Sequence, residues 1–374
     1  MHTKLVTDIN SFLEIKHDWN QLLLSSSSSS LPLSHEWLMS WWQTFGDNKT
    51  LHIICVYEDH KLLAVAPFMK EKIRYRGIPI VCLRLMTNDH TPFSDVVIHN
   101  EAGDEQKKQI VNLIINSNTT DILILSKIQQ DVFSYQQILS KKRIAGHCYG
   151  VKTREITPVI RTDGSWDDFL KSTSRNFRKN LNNKFNRFKK HTDFTIDCLK
   201  VVSTSDPVLD EMMQISKNSW KTSVHNDLCS RPSNKAFLYN LIDKFGRAGS
   251  VHLWLMRKAG EPVAFEFHLN YQGIAYPLRA DFDEHYRKFS PGSILEYTVL
   301  KELFETKKTY KYHSCADNYW YLKRWPCELR THFDIEIFSK TMKSRFLYLL
   351  EYGLIPVARV IRDTIRKKNQ EQSS

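Results

Sequence analysis

The chain has 374 residues, of which 41% are hydrophobic and 25% charged, as in a soluble globular protein with two domains of ordinary size. This composition excludes a largely disordered chain, and the sequence has no run of about eighteen apolar residues that would predict a membrane-spanning helix. The net charge of +12 is uneven, because residues 1–157 contribute +1 and the remainder +11. An anionic partner is therefore expected to bind the second half.

The N-terminal segment and the cysteines indicate the cellular compartment. Asp8, Glu14 and Asp18 interrupt the N-terminal segment, so no secretory signal is predicted. Seven cysteines at irregular spacing form no Cys-x-x-Cys pair. We therefore expect a cytoplasmic protein whose cysteines are core residues and which needs no metal.

An internal repeat relates the two halves at an offset of 200 residues. Residues 35–69 align without a gap with residues 235–269, and each copy predicts a helix ending in Phe-Gly followed by two strands joined by a short turn. Tyr75-Arg76-Gly77-Ile78 and Tyr271-Gln272-Gly273-Ile274 then mark the next hairpin turn in each copy. The recurrence indicates a tandem duplication.

The segment between the copies completes the first unit. Residues 121–128 predict a buried strand, 131–141 a helix and 148–156 a closing strand. We accordingly divide the chain into an N-terminal supporting domain (1–156), a C-terminal catalytic domain (157–340) and a basic amphipathic tail (341–374).

A cationic helix is predicted over residues 175–190, near the start of the second unit. This segment carries seven Lys/Arg and no acid. Phe177, Leu181, Phe185 and Phe188 form one apolar stripe, so the opposite face is a cationic ridge. The ridge is either a solvated surface or a contact for phosphate, an acidic carrier or lipid headgroups.

Four positions on the inner strands are polar in the second copy and apolar in the first. The polar residues Glu266, His268, Arg279 and Asp281 correspond to Ala66, Phe68, Leu83 and Leu85. Polar groups on inner strands cost free energy unless they are paired or face a wet cleft, so a functional site is predicted in the second unit. A structural ion pair between Glu266 and Arg279 is the alternative.

A helix-start signal follows these strands at Ser290-Pro291-Gly292-Ser293. Ser290 is expected to cap the helix, Pro291 suits its first position, and Gly292 allows another group to approach the first-turn amides. Unpaired amides and the positive end of the helix dipole favour a phosphate or pyrophosphate, and Arg287, Lys288 and Phe289 precede the turn. An ordinary capped helix is the alternative.

The tail is basic and amphipathic over residues 340–368, with eight Lys/Arg, and Pro356 is expected to divide it into two helical pieces. Such a segment either rests on an anionic membrane surface or packs across the two units.

Several motifs, in this order, resemble the CelD/BcsL-type acetyltransferase family, a double-unit branch of the GNAT superfamily with Fem-like architecture. They are Trp37-Leu38-x-x-Trp41-Trp42-x-x-Phe45-Gly46, Ser174-Arg175-x-x-Arg178-Lys179-x-Leu181, Phe282-Asp283 separated by six residues from Ser290-Pro291-Gly292, and Tyr321-Leu322-Lys323-Arg324-Trp325. The resemblance spans about residues 5–340. The last motif departs from the family pattern Gly-x-x-x-Tyr-Lys-x-x-Trp, since Tyr321 and Lys323 are not adjacent.

The resemblance implies an α/β fold of tandem GNAT-like units, each a mixed, mostly antiparallel central sheet flanked by helices. It implies that acyl-CoA (acetyl-CoA) binds the second unit between splayed central strands, with its pyrophosphate on residues 290–293 and its pantetheine arm along residues 277–283.

For such an acyl transfer, the chemistry of the side chains suggests roles for the site residues. Glu266 is the first choice for the general base and Asp283 the second. Tyr321 would return a proton to the thiolate, and Lys323 would stabilise the oxyanion. The acceptor pocket would contain His268, Tyr276, Arg279, Asp281 and Trp325.

The predicted activity is transfer of an acetyl or longer acyl group from acyl-CoA to an amine of a small molecule, a sugar or an envelope or polysaccharide precursor. One alternative is a Fem-type peptidyltransferase that uses aminoacyl-tRNA, the only nucleic acid expected as a partner. The other is a non-enzymatic degenerate GNAT unit that binds acidic polymer or membrane. The protein is expected in the cytoplasm, with the basic segments able to hold it at the inner membrane.

Overall fold

The computed structural model describes residues 1–130, 146–191, 193–315, 324–358 and 362. The strands in these ranges are β1 (His2–Val6), β2 (Thr50–Glu58), β3 (Lys61–Tyr75), β4 (Ile78–Leu85), β5 (Val97–Ile98), β6 (Ile122–Gln129), β7 (Cys148–Arg161), β8 (Phe194–Lys200), β9 (Val251–Lys258), β10 (Glu261–Tyr271), β11 (Ile274–Phe282), β12 (Lys311–His313) and β13 (Glu328–Phe338). The helices are α1 (Ile9–Glu14), α2 (Lys16–Leu24), α3 (His35–Phe45), α4 (Asp104–Asn116), α5 (Trp166–Ser172), α6 (Arg175–Phe188), α7 (Val208–Lys217), α8 (Pro232–Phe245), α9 (Pro291–Thr306) and α10 (Met342–Leu349). The helix predicted over 131–141 lies outside the described residues.

One continuous sheet joins the two halves. Its strand order is β1-β2-β3-β4-β6-β13-β7-β12-β11-β10-β9-β8, and β5 pairs with β3 outside this path. Under the repeat, β2 corresponds to β9, β3 to β10 and β4 to β11, so the order reads the same from both ends. The parallel pairs β4/β6 and β11/β12 occupy matching places. The predicted fold class, tandem mixed units of mostly antiparallel strands flanked by helices, is confirmed.

The last strand of each half lies beside the other half. β7 follows β6 in the chain but pairs with β12, whereas β13 follows β12 but pairs with β6. β7 and β13 pair with each other along eleven residues at the centre of the sheet. The sequence analysis missed β13, and the proposed boundary at 156/157 falls inside β7. Reciprocal exchange of the closing strands makes the two units one hydrogen-bonded body.

The predicted hairpins of both copies are confirmed. β2 pairs with β3 and β9 with β10, each antiparallel. The next turns have positive φ at both central residues, 51° and 82° at Arg76 and Gly77, and 48° and 73° at Gln272 and Gly273. These values are typical of tight type I′ hairpin turns.

The repeated helices α3 and α8 pack directly on each other. Trp37 and Phe237 make an edge-to-face contact with ring centroids 5.1 Å apart, and the Ser40 hydroxyl lies 3.3 Å from the Asn240 carbonyl oxygen. Each pair is separated by 200 residues in sequence. Contacts between equivalent residues are expected beside an approximate two-fold axis.

The tail packs on the sheet at the junction of the units. On α10, Leu347 and Ser344 are buried, and a five-residue π turn, Leu350–Leu354, follows just before Pro356. Glu351 is buried against Arg76 and Lys152. The tail is predicted either to rest on a membrane surface or to pack across the two units, and this face of the helix packs across the units. No helix within the described ranges is long and apolar enough to cross a membrane.

Candidate active site

A β-bulge in β11 determines which polar residues of the second unit share a face. His268 pairs with Pro277, but Phe267 pairs with Arg279, so Leu278 is an extra residue. In the first unit, the β3/β4 pairing continues without such a shift. Beyond the bulge every β11 side chain changes face, because successive strand residues point to opposite sides.

Glu266 and His268 therefore lie on one face of the sheet and Arg279 and Asp281 on the other. Arg279 and Asp281 lie opposite Phe267 and Phe265, on the α7 side, whereas Glu266 lies opposite Ala280 on the α9 side. The prediction that these four residues form one site is wrong. Continuing the hairpin register from its turn would place Arg279 opposite Glu266, and only the bulge separates them.

Arg279 and Asp281 belong to a buried ion-pair network on the α7 side. Arg279 Nε donates to Asp281 Oδ2 at 2.9 Å, and Lys221 Nζ lies 2.7 Å from Asp281 Oδ1. The Ser216 hydroxyl of α7 also donates to Asp281. Burial lowers the pKa of Lys221, and the Asp281 carboxylate opposes that change. The network fixes α7 and the Trp220–Val224 turn to the sheet.

Glu266 and His268 form a buried polar pair on the α9 side. Their exposed fractions are 4% and 1%, and His268 Nε2 lies 2.8 Å from Glu266 Oε2. The corresponding Ala66 and Phe68 of the first unit belong to an apolar cluster beneath α4. The two polar residues of the second unit thus bond to each other, and the proposed ion pair between Glu266 and Arg279 does not form.

Glu296 of α9 is a third member of this site, and the sequence analysis missed it. Burial, followed by the negative charge of Glu266, raises the pKa of Glu296 to about 8, while a hydrogen bond from Trp325 and the charges of Lys184 and Arg324 oppose the rise. Carboxyl groups with such shifts are concentrated at functional sites. The signal in the sequence was a lone Glu one turn into a helix whose neighbours Ile294, Leu295, Val299 and Leu300 are all apolar.

The helix predicted to follow Ser290 is present as α9, but the geometry of its first turn differs from the expectation. Pro291 is the first helical residue, as predicted. Ser290 adopts a left-handed conformation (φ 56°, ψ 47°), and its side chain makes no capping hydrogen bond. The Gly292 amide, in the first turn, has no intrahelical acceptor and is not capped by this serine. A Cβ added at Gly292 would meet only the Phe282 ring, at 3.5 Å.

The cationic helix α6 lies over this turn. Lys184 Nζ donates to the Ser293 hydroxyl at 2.8 Å, and Arg187 Nη1 donates to the Lys288 carbonyl at 3.3 Å. Burial and then the charge of Arg324 lower the pKa of Lys184. The predicted apolar stripe of α6 is confirmed, since Leu181 is buried and Phe185 lies 4.3 Å from Tyr297. Lys184 and Arg187 therefore place two cations beside the helix start.

β11 separates from its neighbour beside this helix start. Within the described residues β11 pairs with β12 only through Ile274 and Ala275. The following stretch, to Phe282, is hydrogen-bonded to β10 on its other side. Pro277 has no N–H to offer. A strand that diverges from the sheet in this way leaves an edge to which an extended amide-containing ligand can pair.

A cavity of about 610 Å³ lies on the other side of Trp325. The Trp325 ring is 2% exposed and packs against Phe169 and Phe177. The cavity walls are Ser172, Thr173, Ser174, Asn176, Phe177, Asn180, Arg324, Trp325 and Pro326. Because Trp325 also opposes the rise in the pKa of Glu296, its ring lies between the cavity wall and the group formed by Glu296 and the buried Glu266–His268 pair.

The remaining predicted site residues have structural contacts. Asp283 caps the Glu284–Phe289 turn, accepting from the His285 amide (2.9 Å) and ring (2.7 Å), and it also accepts from Asn218 at 2.7 Å. Tyr276 is 1% exposed in the core between the halves, and burial raises the pKa of its phenol. Phe289 is buried against His191 and Phe194. Arg287, paired with Glu284, and Lys288 are exposed.

Tyr321 and Lys323 lie outside the described residues, so their predicted roles stay predictions. Among the residues that the structure describes, no group of three or more His, Cys, Asp or Glu side chains is placed to hold a metal ion.

The sequence comparison identifies the region that contains this site. Residues 175–321 match the family described as "Acetyltransferase (GNAT) domain". The matched region begins at α6 and includes Glu266, His268 and Glu296. No curated protein matches the chain.

Solved structures with the same fold are distant in sequence. FemX shares 13% identity over 94% of this chain and 100% of its own, with a TM-score of 0.62. A conserved protein of unknown function from Bacteroides thetaiotaomicron shares 10% sequence identity over 90% of this chain and 100% of its own, with a TM-score of 0.53. The C-terminal domain (DUF2156) of an Agrobacterium fabrum protein, described as a lysylphosphatidylglycerol synthetase, shares 12% sequence identity. The match covers 90% of this chain and 97% of that domain, with a TM-score of 0.51. At such identities the likeness concerns the fold.

Proposed function

Starting from a GNAT acetyltransferase domain at residues 175–321, and hence an N-acyltransferase, we propose that the second unit transfers an acyl group from acyl-CoA to the amine of a small molecule, a sugar or an envelope precursor. The observation that carries this proposal is the juxtaposition of three features on one side of the sheet. These are the uncapped helix start at Gly292 beneath Lys184, the diverging edge of β11, and the buried Glu266–His268 pair with Glu296 beside it.

The helix start would hold the pyrophosphate of acyl-CoA. GNAT domains use acyl-CoA, which supplies a thioester already activated for attack. The Gly292 amide and the positive end of α9 attract an anion, and Lys184 and Arg187 contribute two positive charges from α6. The amides of the pantetheine arm would pair with the edge of β11 between Tyr276 and Phe282, apart from the Ala280 carbonyl, which accepts from Lys221 Nζ at 2.6 Å.

In the proposed mechanism the Glu266 carboxylate acts as the general base and removes a proton from the amine of the acceptor. As the amine nitrogen bonds to the acyl carbon, the ammonium proton passes to Glu266, directly or through water, and the carbon–sulfur bond breaks to give a thiolate that takes up a proton. His268 holds the Glu266 carboxylate in place. The pKa of Glu296 is raised to about 8, so Glu296 retains a proton at neutral pH and adds no second negative charge beside Glu266. Trp325 orients Glu296 from the cavity side.

Calorimetric titration with acetyl-CoA and with a longer acyl-CoA tests this proposal. Saturable binding of either, followed by release of free CoA in the presence of an amine panel, is the expected result. Glu266→Gln should retain binding and lose turnover by about 10²–10⁴. Absence of binding by both thioesters would refute acyl-CoA as the donor.

Substitution of Lys184 tests the position of the pyrophosphate. Lys184→Ala removes one cation from the helix start, and we expect acyl-CoA affinity to fall by about tenfold at low salt, with a smaller loss at high salt. Lys179→Ala is the matched control, because Lys179 is exposed on the same helix and makes no contact with the 290–293 turn among the described hydrogen bonds. Equal losses in both variants would indicate only a general charge effect.

Transfer from aminoacyl-tRNA is the second candidate function. It is favoured by the exposed cations of α6 and its C-terminal end, Arg175, Lys179, Lys189 and Lys190, which the helix start does not use. Filter binding with charged tRNA separates the candidates. Saturable tRNA binding together with no binding of acyl-CoA would select this alternative.

A further inference from the structure

The C-terminal helix exposes a continuous apolar stripe on the side opposite its buried face. Its five members have exposed fractions far above those of core residues. They are Met342 (80%), Phe346 (53%), Leu349 (58%), Leu354 (61%) and Val357 (58%). Surface leucines are common singly, but five large apolar side chains along one helix face form a patch.

The π turn keeps this stripe on one line. Met342, Phe346 and Leu349 are spaced by four and three residues, as on an α-helix, but Leu354 follows Leu349 by five. A π turn adds one residue to the helical repeat, so Leu354 returns to the same side, and Val357 follows three residues later. Without the π turn, Leu354 and Val357 would rotate away from Phe346.

The opposite face is fixed to the protein, so the stripe has a set orientation. Leu347 is fully buried, and the Tyr352 hydroxyl donates to Glu336 at 2.9 Å. Glu351 binds Arg76 through two hydrogen bonds and Lys152 through an ion pair. These contacts hold the helix on the sheet while its apolar stripe faces outward.

A cationic pocket adjoins the start of the same helix. Its volume is about 320 Å³, and its charged walls are Lys72 and Arg74 of β3, Lys343 of α10 and Asp121. Lys343 Nζ lies 2.9 Å from Asp121 Oδ2. Three cations face one carboxylate, which leaves a net positive pocket next to Met342.

We propose that this stripe and pocket dock the protein on an anionic phospholipid membrane. The apolar side chains would enter the boundary between headgroups and acyl chains, and a lipid phosphate would occupy the pocket of Lys72, Arg74 and Lys343. Charge complementarity selects this occupant over a second copy of the chain, because two positively charged faces repel each other. The sequence after Val357 is also positively charged, with five Arg/Lys at 359, 362, 366, 367 and 368 against Asp363 and Glu371. Docking is independent of the proposed acyl transfer and leaves the α6 and α9 site on another part of the sheet.

Vesicle flotation of the full chain tests the proposal. The protein should float with phosphatidylcholine vesicles that contain phosphatidylglycerol and should be released by high salt. Leu349→Glu should weaken binding by about tenfold or more. Leu24→Glu is the matched control, since Leu24 is 62% exposed on α2, and it should bind like the wild type. The double variant Lys72→Glu/Arg74→Glu should lose binding to the anionic vesicles, whereas Lys171→Glu should not.

Three outcomes would overturn the proposal. One is failure of the wild-type protein to float with the vesicles that contain phosphatidylglycerol, and another is equal binding by Leu349→Glu and Leu24→Glu. The third is a wild-type dimer in light scattering that Leu349→Glu converts to a monomer, because the stripe would then be a contact between copies. Melting curves and acyl-CoA titrations of each variant show whether it is folded, so a loss of docking is distinguishable from failure of the proposed activity.

Discussion

Glu266 and His268 are polar where their counterparts Ala66 and Phe68 are apolar, and this contrast falls in the half of the duplication that matches the GNAT domain. Beneath α4 the first unit has apolar packing, and beneath α9 the second unit has a bonded Glu–His pair facing Glu296. A buried carboxyl pair is costly for folding, so its presence favours a chemical role over a structural one.

Glu296 gives a test that needs no knowledge of the acceptor. Its pKa is raised from the ordinary value of 4.5 to about 8. The folded protein therefore holds a proton that the unfolded chain releases, and stability is lost as the pH rises through about 8. Glu296→Gln should remove this decline in the free energy of unfolding between about pH 5 and 8. Glu302→Gln, exposed on the same helix, should leave it unchanged, and a persistent decline in Glu296→Gln would assign it to another group.

Gly150 of β7 gives a second residue-level test. A Cβ at this position would lie 1.9 Å from the Tyr352 ring, so the tail residue stacks on a strand that must lack a side chain there. Gly150→Ala should lower the free energy of unfolding by about 1–3 kcal/mol in urea titrations. Gly164→Ala, where an added Cβ meets nothing within 4 Å, is the control. Equal stability of the two variants would contradict the tail packing.

At the level of elements, the bulge at Leu278 decides what β11 does. It points Arg279 and Asp281 toward α7 and keeps Phe282 and the helix start on the side of Glu266. One strand thus serves a structural ion network on one face and the candidate site on the other. Bulges of this kind commonly re-aim side chains beside active sites.

Asp281→Asn tests this separation of faces. Loss of the carboxylate leaves Lys221 and Arg279 without their shared anion in a buried setting, so stability should fall by about 3–5 kcal/mol. Acyl-CoA affinity of the folded variant should not change. Asp197→Asn is the control, because the Asp197 side chain is 47% exposed in its ion pair with Arg257. It should lower the free energy of unfolding by less than about 1 kcal/mol. If acyl-CoA binding changed in Asp281→Asn and not in Asp197→Asn, Asp281 would belong to the candidate site after all.

At the scale of the whole molecule, the reciprocal exchange of β7 and β13 ties the two units to each other and to the tail. β13 carries Glu336, which accepts from Tyr75 of β3 at 2.5 Å and pairs with Lys152 of β7. Glu351 of the tail joins the same group. Strands from both halves and the C-terminal segment therefore meet in one polar network, which predicts that they unfold together.

Acid titration of Glu351 tests that network. Its hydrogen bonds with Arg76 lower the pKa of Glu351 to about 2. The carboxylate stabilises the folded state above its ordinary pKa of 4.5, and this contribution is lost as the pH falls toward 2. Glu351→Gln should be less stable than the wild type at pH 7, with the difference shrinking toward pH 2. Glu305→Gln, in an exposed ion pair with Lys301, is the control and should show no such pH-dependent difference. A constant deficit in Glu351→Gln would argue against titration of this group.

The sequence by itself determined the duplication, the repeated helix and hairpins, the apolar stripe of α6 and the start of α9 at Pro291, because each depends on residues close in the chain. It also identified Glu266 and His268 through the contrast between copies. Only the tertiary structure decided that Arg279 and Asp281 face away, that β13 crosses to the other unit, and that Glu296 joins Glu266. A bulge, a strand exchange and the approach of a helix to a sheet depend on packing between distant segments, and their signal is spread over residues that no local pattern connects.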